Sequence, residues 1–593
     1  MRGTLRGSAA HAAISVASGL GLALAFPRAS IWVLGWIAPV PWLLSLAGVR
    51  ARRGFFLGFA FGLGYFGLLL AWIHGVLDFW TSLPWFLTVP IWGLLIAYLS
   101  LYPAVAGAMT SALHRRAGGW AVFAFPVLWV GLEFARGRLF GGFPWGSVGY
   151  ARSGGLPLLQ AASIGGVALV SFLTALGWSA LAALVSSVVG ESSGERDLRS
   201  GPDPGAQGRA SGTRRSPVGP AVAAAAALAL IVAVWAAGAG RLASHPEAPG
   251  AARFLDLEEP GETRAVPGTV GWGKAQDAMS GPRKQPGQVF RIALVQGGYG
   301  SDFDSDQGPR ALAGYQLLTR LGARYAPDLI VWPESNAPYR PEPDEAFRAL
   351  LSGLSHEAGA PILLGSVGGD STTGYTNSAY LVGPKGILAR YDKRRLVQYG
   401  EYVPMKGIFP FVRKFVPEAG DFRAGNGIGV LGVGGIPVGV AICYEIIFPE
   451  EVLAQARAGA RVLVNVTNDS WFPGSGPAQH AEFARVRGVE TGLWVARAAN
   501  TGITLVSDPL GRILAQGPLG GAAVAFAEIP IGGVAPRGAS GPTWFVRTGE
   551  WVGAGCAALS ALALAFLIVV PIMEGRYRPG TGRATRGRRR TWN

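Results

Sequence analysis

The sequence predicts two regions built for different solvents: a bundle of eight membrane-crossing helices and, between the last two of them, a single α/β domain. Three observations carry that expectation. Half of the residues are apolar and only 15% are charged, too apolar a composition for a wholly soluble chain of 593 residues. Eight apolar runs come close to the roughly 20 residues of helix that a bilayer core about 30 Å thick requires. The stretch 289–530 instead alternates short, nearly continuous apolar runs with helical ones, as a sheet buried on both faces does.

The expected crossings are 9–26, 30–49, 54–73, 85–112, 120–135, 160–189, 219–238 and 551–573. The first follows a basic start, as a signal peptide would. It shows no small-residue cleavage site and further apolar runs follow at once, so it is expected to remain as a helix. The fifth is the shortest and ends on Glu133 and Arg136. Arginine clusters set the orientation: at the N terminus, at Arg50, Arg52 and Arg53, at Arg115 and Arg116, across 196–215, and beyond Arg576. With the N terminus inside and eight crossings, all five fall on the cytoplasmic side, where cationic loops are retained. This placement explains the net charge of +16 better than a nucleic-acid partner does. One connection, 136–152, carries Arg136, Arg138 and Arg152 on the outer side, around Phe-Gly-Gly-Phe-Pro-Trp-Gly-Ser. It reads either as a structured interfacial loop or as a connector with an ordinary belt tryptophan at Trp145.

The expected organisation is therefore a transmembrane region of seven helices over 1–240, a linker over 241–288, an extracytoplasmic catalytic domain over 289–530, a connector and eighth helix over 531–575, and a basic cytoplasmic tail over 576–593. A second linker lies near 191–220; both linkers have the Gly, Pro, Ser and charged composition of disordered chain. Strands are expected at 290–296, 328–333, 361–366, 436–443 and 461–467, and helices near 309–325, 343–359, 449–459 and 478–499. The chain holds two cysteines, Cys443 and Cys556, in segments of different kinds, and no structural disulfide is expected.

In open α/β sheets, ligands collect at the carboxyl ends of strands. Glu334 ends the run 328–333, Lys393 follows a short strand-like run, and Cys443 ends the run 436–443. Singly, each has a plain alternative: a capping carboxylate, a solvated basic edge, a small buried hydrophobe. Together they are chemically coherent. A carboxylate can take the thiol proton, and an ammonium stabilises both a thiolate and the oxyanion of a tetrahedral intermediate, the requirements of acyl transfer through a thioester. A histidine-assisted thiol is the competing arrangement. His356 lies within a helix and His480 opens one, and His480 remains open as a neighbour of the thiol. Glu401 and Glu445 are ambiguous between support of the site and structural pairing.

Four segments in order, Val-Trp-Pro-Glu at 331–334, Asp-Lys-Arg-Arg-Leu-Val-Gln-Tyr-Gly-Glu-Tyr-Val-Pro at 392–404, Ile-Cys-Tyr-Glu at 442–445 and Asn-Asp-Ser-Trp-Phe at 468–472, resemble the nitrilase superfamily. Within it they resemble the membrane-bound apolipoprotein N-acyltransferase family, and the resemblance extends to the apolar runs and the Gly-Phe-Pro-Trp loop. It implies a nitrilase-like four-layer α-β-β-α sandwich, with Glu334 as general base, Lys393 as oxyanion stabiliser and Cys443 as acyl-accepting nucleophile. Glu401, Tyr444 and Glu445 match supporting positions. Trp471, in the aromatic segment 471–473, and the segment 408–412 are candidates for apolar arms that admit acyl chains. The implied reaction is a ping-pong transfer from a phospholipid donor to the N-terminal diacylglyceryl-cysteine of a lipoprotein, at the bacterial inner membrane, with no cofactor and no metal. The family carries a tryptophan in a loop over the site that this chain lacks; Tyr299 or Phe303 are the candidates to replace it. A membrane-tethered amidase using the same three residues on a soluble amide is the alternative.

Overall fold

The computed structural model describes residues 2–81, 83–151, 155–199, 218–245, 252–256, 289–300, 307–335, 338–403, 421–531 and 542–576. Its first half is helical: α1 (Arg2–Ala23), α2 (Leu34–Ile37), α3 (Val40–Ser45), α4 (Ala51–Leu69), α5 (Ala71–Trp80), α6 (Trp85–Ala117), α7 (Phe125–Arg136), α8 (Gly155–Leu159), α9 (Ala162–Arg199) and α10 (Val218–Ala243). Lipid gives apolar helices no hydrophobic reason to associate, so contact depends on close packing of small residues. The α4–α6 contact shows this. A Cβ built on Gly58 would lie 2.2 Å from the Pro103 carbonyl oxygen, and one on Gly107 would lie 2.4 Å from that of Gly54. Nearby, Trp42 stacks on Phe61 with centroids 4.2 Å apart, and Trp129 meets Trp178 edge-on at 5.5 Å. The Trp178 indole N–H donates to the Gly35 carbonyl at 2.6 Å, so the ring is buried without an orphaned donor.

The second half is built on thirteen strands: β1 (Ala252–Asp256), β2 (Val289–Gln296), β3 (Leu329–Val331), β4 (Ile362–Asp370), β5 (Gly374–Gly383), β6 (Gly386–Asp392), β7 (Val430–Val433), β8 (Ile436–Ile442), β9 (Val462–Thr467), β10 (Trp494–Ala499), β11 (Leu505–Ser507), β12 (Ile513–Gln516) and β13 (Ala523–Pro530). They form a seven-stranded sheet ordered β1-β13-β2-β3-β4-β5-β6 and a six-stranded sheet ordered β12-β11-β10-β9-β8-β7. Each has a parallel centre, β2-β3-β4 in one and β8-β9-β10 in the other. Helices α11 (Gln307–Ala323), α12 (Glu345–Ala358), α13 (Pro449–Arg457), α14 (Gly476–Thr491), α15 (Trp544–Thr548) and α16 (Trp551–Arg576) complete the chain. Local signals fix their ends. Asp344 accepts the Phe347 N–H at 2.9 Å to start α12, and Gly359 closes it in the left-handed region at φ +67°.

Period-two alternation divides the seven-stranded sheet's side chains between two environments. Ile292, Leu294, Leu329, Val331, Leu363 and Leu381 join the large core shared with the six-stranded sheet, while Ala293, Val295, Ile330, Ile362 and Leu364 pack with Tyr315, Leu318, Phe347 and Leu351 of α11 and α12. The large core continues into the membrane bundle through Trp72, Trp145 and Phe472.

The structure differs from the expectations at four points. Where eight crossings are expected, four helical stretches among the described residues are long and apolar enough to cross a membrane: Trp85–Arg136, Ala162–Val188, Gly219–Ala243 and Trp551–Val570. A fifth exists if the bent pair 51–69 and 71–79 counts as one. The run 30–49 is broken into α2 and α3 by Pro39 and Pro41, and the apolar part of α1, Ser8–Ala23, is short. The expected linker 241–288 contains β1, which pairs antiparallel with β13 and buries Phe254; five residues inside a polar, Gly- and Pro-rich stretch leave no compositional trace. The expected helix 478–499 is two elements. Gly492, at φ +75°, ends α14, and β10 follows with alanines that suit either state. In the expected linker 191–220, α9 continues through Arg199, and 200–217 lie outside the described residues.

Candidate active site

Glu334 follows β3, Lys393 follows β6 and Cys443 follows β8, and the fold brings these three strand ends together. Lys393 is almost wholly buried. Its ammonium lies 2.8 Å from Glu401 Oε1 and 3.5 Å from Glu334 Oε1. Asn377, from the middle of β5, donates through Nδ2 to both carboxylates, at 2.7 Å to Glu334 and 2.5 Å to Glu401. The second oxygen of Glu334 accepts the Asn468 N–H at 3.1 Å, and that of Glu401 accepts the Val397 N–H at 2.7 Å. Both carboxylates are thus held in one orientation. Burial alone would favour a neutral amine at Lys393, but the charges of Glu401 and Glu334 outweigh it and raise its pKa, so the group stays an ammonium.

Cys443 is buried and has φ +48°, a left-handed conformation that a residue with a Cβ adopts only under constraint. Glu445 supplies part of that constraint. Its side chain accepts the Ile442 N–H at 2.8 Å, the Arg394 N–H at 2.7 Å and the Tyr391 hydroxyl at 2.8 Å, and so ties the cysteine turn to the segment after Lys393. Burial raises the Glu445 pKa to about 7 despite these donors. Burial and the adjacent Glu334 also push the Cys443 thiol well above its ordinary value, with Lys393 opposing them. The resting group is a thiol, and any role as a nucleophile would require a base to take its proton.

Behind the cysteine lies a second buried charge cluster. Asp469 and Asn468 follow β9, and Asp469 Oδ2 accepts from Arg497 Nη2 at 2.5 Å. His480, left open above, is fully buried with Nδ1 2.9 Å from Asp469 Oδ1 and Nε2 3.2 Å from the Cys443 carbonyl oxygen. His480 therefore neighbours the cysteine through its backbone. Asn500, after β10, accepts the Tyr315 hydroxyl at 2.9 Å.

Trp145 is not a belt residue. It is 1% exposed, lies 5.9 Å from the His480 ring and 5.1 Å from Phe483, and donates through Nε1 to Gln479 Oε1 at 2.6 Å. The charges that end the fifth apolar run hold its loop: Arg136 donates to the Trp145 carbonyl, and Glu133 accepts the Val148 N–H at 2.8 Å. Tyr444 lines a cavity of about 430 Å³ between Gly141 and Gly142 of that loop and Arg394, Tyr402 and Phe448 of the domain. Trp471 is half-buried against the large core. Tyr299 turns away toward α11, 5.8 Å from Tyr315. Phe303 and the segment 408–412 lie outside the described residues.

Asn377 and Arg497 are not among the residues the sequence singles out, and for Trp145 the structured-loop alternative is the one that fits its burial. Asp469 stood at a strand end and obeyed the rule that found Cys443. Asn377 sits mid-strand, and Arg497 within an apolar strand, where no local signal marks them.

Comparison with known proteins agrees with this architecture. Residues 18–180 match the family described as the apolipoprotein N-acyltransferase N-terminal domain, and residues 291–537 match the carbon-nitrogen hydrolase family. The apolipoprotein N-acyltransferase of Geobacter metallireducens is 34% identical over 93% of this chain and 95% of its own length. That of Chromobacterium violaceum is 30% identical over 90% and 89%. A solved amidase from Nesterenkonia sp. aligns with 42% of this chain and 94% of its own at 23% identity, with a TM-score of 0.34 that adds nothing to the assignment. With both halves matched in order and its relatives covered almost end to end, this chain belongs to the apolipoprotein N-acyltransferase family, a membrane-bound branch of the nitrilase-like acyltransferases.

Proposed function

We propose that Cys443 accepts an acyl chain from a phospholipid as a thioester and passes it to the α-amino group of the diacylglyceryl-cysteine at a lipoprotein's N terminus. The observation that carries this most directly is the buried Lys393 ammonium, held between Glu334 and Glu401 in the field of the Cys443 thiol. Glu334 removes the thiol proton as sulfur attacks the ester carbonyl. Lys393 stabilises the oxyanion, and the lysophospholipid leaves with the proton from Glu334. The amine then attacks the thioester, Glu334 takes its proton, and Cys443 is restored. Glu401 and Asn377 orient the pair, and Glu445 holds the cysteine turn. Tyr444, which lines the cavity against the membrane loop, and Trp471 are assigned to the entry of substrate chains.

The same proposal includes the finer architecture. The two sheets face each other with α11 and α12 outside one and α13 and α14 outside the other, the four-layer α-β-β-α arrangement. The eight apolar runs, short ones included, pass the bacterial inner membrane with both termini cytoplasmic and the catalytic domain periplasmic.

Intact-protein mass spectrometry after incubation with phospholipid tests the chemistry. An acyl-sized adduct on Cys443, discharged by a diacylated lipopeptide and absent from Cys443→Ala, is expected. Turnover of small soluble amides without any lipid adduct would overturn it in favour of a tethered amidase. Thiol labelling of single cysteines placed in the loops, from either side of sealed vesicles, tests the orientation. Labelling of the catalytic domain from the cytoplasmic side would reverse it.

A further inference from the structure

We propose that His480 is a positioning residue for the nucleophile. Held in place by Arg497 and Asp469, it donates Nε2–H to the Cys443 carbonyl and holds the left-handed turn from which the thiol is presented. The role rests on Cys443 being the acylated residue, and it concerns the backbone of that residue rather than its sulfur.

The first observation is that the cysteine turn needs holding. A Cβ-bearing residue at φ +48° costs on the order of 1–3 kcal/mol and persists only where surrounding contacts over-determine it. Glu445 fixes the Ile442 N–H, on the near side of the turn. The Cys443 carbonyl begins its far side, and its side-chain donor is His480 Nε2 at 3.2 Å. A carbonyl oxygen only accepts, so Nε2 carries the proton.

The second observation is what holds the ring at its other nitrogen. Nδ1 faces Asp469 Oδ1 at 2.9 Å and Arg497 Nη2 at 3.2 Å. Burial and the Arg497 charge lower the imidazole's pKa, with Asp469 opposing them. A neutral ring with Nε2–H accepts at Nδ1 from the guanidinium and leaves Asp469 to its donors from Arg497 Nη2 at 2.5 Å and the Thr467 hydroxyl at 3.1 Å, whereas a protonated ring also donates Nδ1–H to Asp469. Arg497 is itself locked, donating through Nε to the Ile503 carbonyl at 3.2 Å and through Nη1 to Asn465 Oδ1. If the ring gained a proton it would keep Nε2–H. In both of these states Nε2 carries the proton that the Cys443 carbonyl accepts; a neutral ring protonated at Nδ1 instead would donate to Asp469 and leave that carbonyl without its side-chain donor.

The third observation is where the ring is mounted. His480 lies on α14 beside Gln479, whose side chain bonds to the membrane half. Gln479 accepts the Trp145 indole N–H at 2.6 Å and donates to the Leu69 carbonyl at 3.2 Å, both in the membrane half. The imidazole also sits against Trp145 at 5.9 Å and Phe472 at 5.1 Å. One helical turn therefore couples the seating of the membrane loop to the geometry of the nucleophile.

Two isosteres separate positioning from packing and from acid-base chemistry. In His480→Gln the amide nitrogen takes the place of Nε2 and still donates to the carbonyl. In His480→Asn the amide reaches only the Nδ1 position and the carbonyl loses its donor. The measurement is the single-turnover rate of acyl-adduct formation on Cys443 in the full chain, in detergent with phospholipid, against lipid concentration, with thermal melting of each variant alongside. Expected is a loss on the order of 10- to 100-fold in the maximal rate for His480→Asn, in the range seen when an orienting partner is removed. His480→Gln should recover most of it, and the lipid concentration for half-maximal rate should be unchanged in both.

Equal rates for Asn and wild type would overturn the proposal. So would equal losses in Gln and Asn with matching losses of melting temperature, which denote packing, or equal losses with unchanged melting, which denote a role for the imidazole itself. If the wild-type chain forms no adduct, Cys443 acylation fails first and independently.

Discussion

Two buried charge clusters flank Cys443, and they are built in opposite senses. In front, one cation, Lys393, lies between two carboxylates, Glu334 and Glu401. Behind, one carboxylate, Asp469, lies between the Arg497 guanidinium and the His480 imidazole. Both are at strand ends and both are withdrawn from water, so burial and charge do not tell them apart. Direction does. The front cluster is the one proposed to act on the thiol, and its ammonium holds one carboxylate at hydrogen-bond distance and the other only at 3.5 Å, leaving capacity to meet developing charge. The rear cluster is fastened at each group to side chains and backbone, and its outlet is the Cys443 carbonyl. A saturated network holds a backbone in place, and an unsaturated one can respond to a reacting atom.

Breaking the front cluster should give the largest effect. Glu334→Gln keeps the size and an acceptor but removes the base, and acylation of Cys443 is expected to fall by roughly 10²–10⁴-fold. Intact-mass kinetics measure this, and a rate within a few-fold of wild type would remove Glu334 from the proposed chemistry. Asp469→Asn breaks the rear cluster instead. Removing one partner of a buried ion pair costs about 3–5 kcal/mol, so melting temperature should drop well below that of Glu334→Gln while acylation falls less. If the two variants exchanged these signatures, the assignment of front to chemistry and rear to backbone would be reversed.

Trp145→Phe tests the membrane side of the same helix at smaller cost. It leaves Gln479 Oε1 without its 2.6 Å donor, a loss of about 1–3 kcal/mol for a buried polar group. A modest fall in melting temperature with a parallel, smaller fall in acylation is expected. An unchanged acylation rate would show that seating of the loop and presentation of the thiol are separate.

The smallest effect is a pH dependence. The Glu445 pKa is raised to about 7 in the folded chain, mainly by burial. A raised folded-state value means that its contribution to stability is complete below the ordinary carboxyl range and is lost as pH rises through about 7. Glu445→Gln cannot ionise and also forfeits the acceptor for the Ile442 N–H. The variant should therefore be less stable than wild type at pH 5, and the gap should narrow by pH 8. Melting curves across that range check it, and a gap that widens with pH would contradict the raised value.

The membrane and catalytic halves were legible to different degrees. Hydropathy marked every apolar run but could not measure how far each stays helical, because Pro39 and Pro41 break one run without lowering its apolar content. In the catalytic half, buried parallel strands are short and continuous, and five were located from runs such as 436–443. β1 was hidden because edge pairing needs five residues and little hydrophobicity.

What the sequence by itself determined was the chemistry available at strand ends. Glu334, Lys393 and Cys443 each stand one to three residues past a strand, two of them on the seven-stranded sheet and the third on the six-stranded one, at strand ends of the kind where ligands collect. Composition and apolar runs likewise determined that part of the chain belongs in lipid. Only the tertiary structure decided which groups surround those three. Asn377 bridges two carboxylates from mid-strand, His480 reaches the cysteine's carbonyl rather than its sulfur, and Trp145 meets Gln479 across 334 residues of chain. The reason is physical: periodicity and spacing encode which face a side chain takes, while a hydrogen bond between distant segments depends on how whole elements pack, and no local pattern records it.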